Sequence, residues 1–379
     1  MSRILMVNYE YPPLGGGAGN ATANIAREMV AQGAEVLVVT SAFRDLPGLE
    51  KADGFTVRRI PTWRRHAEKC SAAEMAVFMA SACAHLPRLA RVFKPTAQVA
   101  FFTIPCGPSA WLAQKACGAP YVVSLRGGDV PGFQPYDLAG VHRLTGPLIR
   151  FLWARAGAVV ANSQGLADLA RQSASDLDVP VIPNGVDCAY FCPRSGQRAP
   201  GPVRLVFCGR VVRQKGLDIL LTALSLLPLD PAWELHVLGD GPARPGLERN
   251  ARDLGLHDRI FFQGWRDKAE LAKALPGMDL FVFPSRDEGL PNAVLEAMAS
   301  GLPVLASRIS GNEELVDQGA TGLLVPPEDP KALALALGEL LAEPAKLAAM
   351  GLCGREKAQR DYSWSRVAKA YLDLCERLT

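Results

Sequence analysis

The sequence predicts an α/β protein made of two doubly wound parallel sheets, one to each domain. Three observations lead there. Continuous apolar runs of strand length alternate with helix-length segments almost throughout, as in parallel strands buried on both faces by crossover helices. Roughly a dozen such strands exceed one comfortable twisted sheet. Near the middle, "DCAYFCPRSGQRAPGPVR" (Asp187–Arg204) breaks the alternation with prolines and glycines, which is linker punctuation.

The elements follow in order. "RILMVN" is the first strand; its apolar run is too short for the core of a secretory leader. Ala18–Ala31 reads as a helix, then "EVLVVT" and "FTVRRI" as strands. Helical segments Ala72–Arg91 and Gly107–Ala116 alternate with "AQVAFF", "YVVSL", "AVVAN" and "PVIP". After the linker come "VRLVFCG", "ELHVLGD", "RIFFQG", "DLFVFP", "PVLAS" and "TGLLVP". In "FVFPSRDEGLPNAVLEAMASGLPVLAS", Pro284 ends the strand Leu280–Phe283 because its ring removes a ladder donor. Ala293–Ala299 has helical spacing, Pro291 stands near its first turn, and Gly301 stops it. The final "WSRVAKAYLDLCERL" is an amphipathic helix with no strand after it. The expected domains are 1–192 and 193–361, with 362–379 crossing back onto the first.

Composition narrows the function classes. The chain has 379 residues, 49% apolar and 21% charged, an ordinary soluble mixture. A net charge of +3 gives no reason to expect nucleic-acid binding. Residues 1–194 nevertheless carry 19 Lys and Arg against 14 Asp and Glu, so the front half is the basic one. Nine cysteines with scattered spacing suit neither a zinc site nor a disulfide framework. They read as reduced thiols, which points to the cytoplasm. No uncharged apolar run reaches the roughly 18 residues of a membrane span.

Several strands end in loops suited to ligands, each with a plainer alternative. "YEYPPLGGGAGN" offers Gly16 and Gly17 to an anion at a helix start; a flexible turn is the alternative. It lacks the third glycine of a dinucleotide fingerprint, Asn20 following instead. "VFCGRVVRQKG" places Arg210 and Lys215 after Gly209, before a leucine-rich helix. A helix start disfavours cations, so the pair costs stability unless an anion neutralises it; solvated surface cations remain open. Asp240 in "GDGP" and Trp265 in "FQGW" also follow strands, Trp265 as a base contact or as rim cover. "SLRGGDVPGF" places Arg126 and Asp129 about two glycines, as a site or as a salt-linked loop. Glu288 precedes the helix of the quoted stretch and Glu296 lies on it. The turn is at a strand's carboxyl end, where open α/β sheets bind ligands.

Taken together, "GRVVRQKG", "GDGP", "FQGW" and "PSRDEGLPNAVLEAMASGLPV" resemble, in this order, the C-terminal half of retaining glycosyltransferases of the GT-B fold, family-4 type. "YPPLGGGAGN", "NSQG" and "PNGVD" resemble the N-terminal half. The resemblance covers nearly the whole chain. It implies two Rossmann-like domains facing across a cleft, with Glu288 on the donor sugar and Glu296 on the ribose hydroxyls. Arg210 and Lys215 would hold the diphosphate, and the backbone N–H groups of Gly289, Leu290 and Asn292 would add donors near the leaving group. Such transfer needs cations at the leaving group rather than a strong acid. The only Asp-x-Asp, at Asp176–Asp178, precedes a strand instead of ending one, so metal-independent transfer is expected.

One departure concerns the loop that in the family reads His-Gly-x-Asp, where this chain has Arg126-Gly127-Gly128-Asp129. Arg cannot accept a proton; Arg126 is instead expected to meet an anionic group on donor or acceptor. The expected co-substrate is a UDP- or GDP-sugar, with no cofactor and no metal. The acceptor is a glycan or a lipid-linked molecule, as in cell-envelope glycan or glycolipid synthesis. Epimerase, phosphorylase and non-catalytic sensor remain alternatives on the same fold. Between Val57 and Pro95 stand eight Lys and Arg against two Glu, with Trp63 among the arginines. An anionic membrane surface on the cytoplasmic side is one reading of that stretch; a core helix with cations at its C-terminal end is the other.

Overall fold

The apolar runs gather into two sheets, and each sheet is the centre of its own unit. The computed structural model describes residues 1–67, 70–133, 135–196, 201–228, 230 and 232–379, with the backbone alone at 135–139. Unit 1 is Met1–Asn184 with Trp364–Thr379, and unit 2 is Gly185–Ser363. The second unit therefore starts earlier than the expected residue 193. The Val186 N–H donates to the Tyr362 carbonyl at 2.7 Å, and Val186 and Phe191 are buried in the second core. These apolar residues were hidden among linker-like prolines and glycines. Part of that linker, residues 197–200, lies outside the described residues.

Unit 1 contains β1 (Arg3–Val7), β2 (Glu35–Ser41), β3 (Leu49–Ala52), β4 (Phe55–Ile60), β5 (Ala97–Phe101), β6 (Tyr121–Leu125) and β7 (Ala158–Ala161). Their order is β3-β4-β2-β1-β5-β6-β7. Every pairing is parallel except β3 with β4. The short, half-exposed "LEKA" of β3 carried no apolar run to announce it. "PVIP" is not a strand; its Val181 makes a single parallel bridge to Ala161, since the flanking prolines donate no ladder bond.

Strand alternation then sorts the core. Ile4 and Met6 face one side with Ile25 and Met29 of the helix Gly17–Ala31 and with Val367 and Tyr371 of the terminal helix Trp364–Arg377. Leu5 and Val7 face the other with Phe78 and Leu86 of Ala72–Phe93 and Ala110 of Thr103–Cys117. Each such burial contributes roughly 1.5–3 kcal/mol. The terminal helix is thus part of unit 1.

Unit 2 contains β8 (Val203–Cys208), β9 (Trp233–Leu238), β10 (Ile260–Phe262), β11 (Leu280–Phe283), β12 (Val304–Ser307) and β13 (Gly322–Val325). All run parallel in the order β10-β9-β8-β11-β12-β13. In each sheet the chain winds outward in opposite senses from one seam. The seam lies between β1 and β5 in unit 1 and between β8 and β11 in unit 2. Ligands of open α/β sheets bind at such a point, beyond the strands' carboxyl ends.

Candidate active site

At the seam of unit 2 the loops after β8 and β11 are tied together. Lys215 ends the single 3₁₀ turn Arg213–Lys215. Its Nζ donates to Glu288 Oε1 at 2.5 Å, both side chains being largely buried. Ser285 Oγ donates to the same oxygen at 2.6 Å. Glu288 Oε2 has no hydrogen bond among the described residues. Lys215 also stands 5.1 Å from the centre of the Phe283 ring. Removing either member of such a buried pair strands a charge, at about 3–5 kcal/mol.

The backbone makes the same junction. Arg286 N–H donates to the Gln214 carbonyl at 2.8 Å, and Gln214 Nε2 donates to the Asp287 carbonyl at 2.7 Å. Arg286 grips Asp218 with two nitrogens at 2.9 and 2.8 Å and reaches Glu328 at 2.7 Å. Burial opposes ionisation of Asp218, yet the guanidinium holds its carboxyl below the usual range. Gly216, at φ 68°, lies so close to Pro284 that an added Cβ would meet the carbonyl oxygen at 1.9 Å. Ser285, Gln214 and Arg286 were not singled out from sequence. A hydroxyl and a cation right after a strand-ending proline were the available signal.

The other expected donor residues border the same loops. Arg210 is exposed and its side chain has no hydrogen bond or ion pair among the described residues. Gly209 passes within contact of Gly239, whose added Cβ would meet the Gly209 carbonyl oxygen at 1.8 Å. Asp240 accepts from Gly241 N–H at 2.7 Å and from the guanidinium of Arg244, the first residue of the helix Arg244–Asp253, at 3.0 Å. Trp265 is 71% exposed. Gly289 and Leu290 lead into the helix Asn292–Ala299, whose start no side chain caps. Glu296 is half-buried on that helix; burial pushes its carboxyl up to about 7, against the pull of Lys268. A groove of about 750 Å³ lies elsewhere on unit 2, at the edge strand β10. Three of its polar groups are joined: Glu234 bonds His236 and also Arg204, and Gln263 takes the other imidazole nitrogen.

In unit 1, Gly16 and Gly17 are exposed at the start of their helix. Arg126 and Asp129 are both bonded within unit 1. Asp129 is buried and accepts from Thr103 N–H at 2.7 Å, Arg126 N–H at 3.0 Å and Gly127 N–H at 3.2 Å. It holds the loop by its backbone, and no salt link joins it to Arg126. The Arg126 guanidinium lies over Phe101 and donates to Asn184 Oδ1 at 2.5 Å and Tyr371 Oη at 3.2 Å. Among the described residues, no group of three His, Cys, Asp or Glu gathers.

Known proteins resemble the chain in sequence and in fold. The model of the family "Glycosyl transferases group 1" matches residues 202–343, and that of the "Glycosyl transferase 4-like domain" matches 16–185. A D-inositol 3-phosphate glycosyltransferase of Xylanimonas cellulosilytica is 31% identical over 72% of this chain and 70% of its own. A sucrose-phosphate synthase structure from Thermosynechococcus elongatus superposes with a TM-score of 0.86 at 22% identity, covering 100% of this chain and 99% of that one. The Anabaena protein HepE, in complex with UDP and glucose, gives a TM-score of 0.74 at 19% identity over the whole of both chains. At those identities the two structures speak for the fold alone, which is GT-B.

Proposed function

The chain belongs to the group 1 glycosyl transferases, and on that premise we propose that it moves a sugar from a nucleoside diphosphate sugar to a hydroxyl acceptor. The observation that carries this reading is the seam of unit 2. A buried Lys215–Glu288 pair ties the loops after β8 and β11, and Arg210, without a side-chain hydrogen bond or ion pair among the described residues, follows β8. Arg210 and Lys215 neutralise the diphosphate as charge develops on it, and one well-placed donor of this kind contributes roughly 2.7–4 kcal/mol. The free Oε2 of Glu288 accepts from the sugar, and Glu296 accepts from the ribose hydroxyls.

The chemistry proposed is retention. The acceptor oxygen forms its bond to the anomeric carbon on the face from which the diphosphate departs. The acceptor proton passes to the leaving phosphate, so no side chain need act as base. Two cations take the place of a metal. The acceptor is a glycan or a lipid-borne ring, in cell-envelope synthesis, and the protein works in the cytoplasm beside the membrane. Among the described residues no helix is long and apolar enough to cross one.

The membrane part rests on unit 1. The helix Ala72–Phe93 buries Phe78, Ala82, Leu86 and Ala90 and turns Val77, Arg88 and Arg91 outward. Arg65 stacks on the half-exposed Trp63 at 4.4 Å. Arg64 is spent on the carbonyls of Tyr9, His66 and Ala67, and Lys69 lies outside the described residues.

The test is to incubate the chain with UDP- and GDP-sugars, with and without acceptor extract, in excess chelator. Nucleoside diphosphate release and an unchanged anomeric configuration in the product are expected. Inversion, or activity that returns only with magnesium or manganese, refutes the corresponding part. Sedimentation with anionic and neutral vesicles, beside an Arg65→Glu, Arg88→Glu variant, tests the membrane part; binding indifferent to lipid charge refutes it.

A further inference from the structure

The seam of unit 1 carries its own constellation, which the donor chemistry does not use. Tyr9 and Glu10 follow β1, and Phe102 follows β5, its parallel neighbour. We propose that Tyr9, Phe102 and Glu10 form the acceptor's seat: a hydroxyl-bearing ring, sugar or cyclitol, lies on the two aromatic rings and donates its hydroxyls to the Glu10 carboxylate. The transferase reading supplies only what happens to the ring once bound.

Four observations support the seat. The rings of Tyr9 and Phe102 stand 5.2 Å apart and tilted by 56°, both half-buried with part of their surface open. An open aromatic corner suits the C–H face of a hydroxylated ring, which is apolar where its edge is polar. Phe102 holds φ 69° and ψ 135°, a region nearly reserved for glycine, at a cost of about 1–3 kcal/mol. A bulky residue kept there against that cost is placed for its ring.

Glu10 is the third observation. The hydrogen bond it accepts from Gly16 N–H is long, 3.4 Å. Arg64, whose charge acts on it, spends its guanidinium on three backbone carbonyls. Burial pushes the carboxyl up from its ordinary value, with the Gly16 N–H, Arg64 and Tyr9 pulling it back only in part. A desolvated carboxylate that meets the Gly16 N–H and the Tyr9 hydroxyl keeps further lone pairs for ligand hydroxyls. Fourth, the loop is shaped around it: a Cβ on Gly15, at φ 80°, would strike the Glu10 carboxyl carbon at 2.4 Å.

The experiment is an NMR titration of the full chain with ring-labelled Tyr and Phe. The probes are glucose, myo-inositol and octyl glucoside. The Tyr9 and Phe102 signals, assigned with Tyr9→Leu and Phe102→Gly, should shift saturably, and Glu10→Gln should weaken binding about tenfold, or 1.4 kcal/mol. Phe102→Gly should bind no probe yet melt no lower, since glycine relieves the strained φ. Preference for octyl glucoside marks a lipid-borne ring and equal binding a soluble one; both uphold the seat. Signals indifferent to every probe up to its solubility overturn it, as does wild-type affinity in both Glu10→Gln and Phe102→Gly. A chain that binds rings but releases nucleoside diphosphate from no nucleotide sugar keeps the seat and refutes the transferase reading. A chain that transfers sugar with unshifted Tyr9 and Phe102 signals does the reverse.

Discussion

At Glu296, burial raises the carboxyl from its ordinary 4.5 to about 7, and the sign of the consequence is fixed. Below about 4.5 the group is neutral folded and unfolded, and nothing is lost. Between 4.5 and 7 the unfolded chain has released the proton while the folded chain keeps it. Stability therefore falls as pH rises through that window and levels off above it. Glu296→Gln should match the wild type near pH 4 and exceed it at pH 8 by on the order of 1–3 kcal/mol. Denaturant midpoints at the two pH values decide it, and equal midpoints at pH 8 would falsify the buried carboxyl. A carboxylate that accepts ribose hydroxyls also predicts tighter nucleotide binding as pH passes 7, a trend absent from the variant. Arg210→Ala should cut transfer by about two to three orders of magnitude, the scale of a lost transition-state donor, with an unchanged melt because the exposed side chain makes no hydrogen bond or ion pair among the described residues. Near-normal turnover would remove Arg210 from the reaction. These residues were readable from strand-end position and charge. Glu10 was not, because its significance lies in its burial and in the loop folded against it at Gly15, which spacing does not encode.

The loops that hold the site were legible as glycine-marked strand ends, but their dependence on one another was not. Gly209 and Gly239 follow β8 and β9, and each was read as a ligand-facing loop on its own strand. They touch across the sheet edge: a Cβ on Gly239 meets backbone at 1.8 Å, and one on Gly216 meets the Pro284 carbonyl at 1.9 Å. Contacts between loops some seventy residues apart, as at Gly216 and Pro284, leave no periodic trace. Backbone cannot swing aside as a side-chain tip can, so Gly239→Ala or Gly216→Ala should part the loops, costing about 2 kcal/mol or more along with most turnover. Gly246 lies in the helix Arg244–Asp253 with nothing within 4 Å of its added Cβ. Gly246→Ala should stabilise by about 0.5–1 kcal/mol and leave turnover alone. Thermal melts and turnover of the three variants test this together; a tolerated Gly239→Ala would deny that the contact is close.

Over the whole chain, two sheets could be read because parallel strands are apolar on both faces and announce themselves without a partner. The edge strand β3 and the true start of unit 2 could not. One has no apolar run, and the other is fixed by pairing with Tyr362, far along the chain. The same long return explains the terminal helix. The chain leaves unit 1 at Asn184 and comes back at Trp364, and the helix Trp364–Arg377 buries Val367, Ala368, Tyr371 and Cys375 against the first sheet. A smaller change than deletion isolates its polar tie. Tyr371 is buried, with its hydroxyl 2.6 Å from Ser124 Oγ and accepting from Arg126 Nη2 at 3.2 Å. Tyr371→Phe keeps the ring and removes both bonds, leaving a buried hydroxyl and a guanidinium short of a partner, at about 1–3 kcal/mol. Ending the chain at Ser363 should do far more, uncovering Ile25, Met29 and Val38 to solvent and to hydrophobic dyes. The expected series is therefore graded: a melt lowered by several degrees in Tyr371→Phe, and dye binding with loss of the unit 1 transition in the truncated chain. A truncated chain that melts as the full one does would mean that unit 1 is complete without its returning helix.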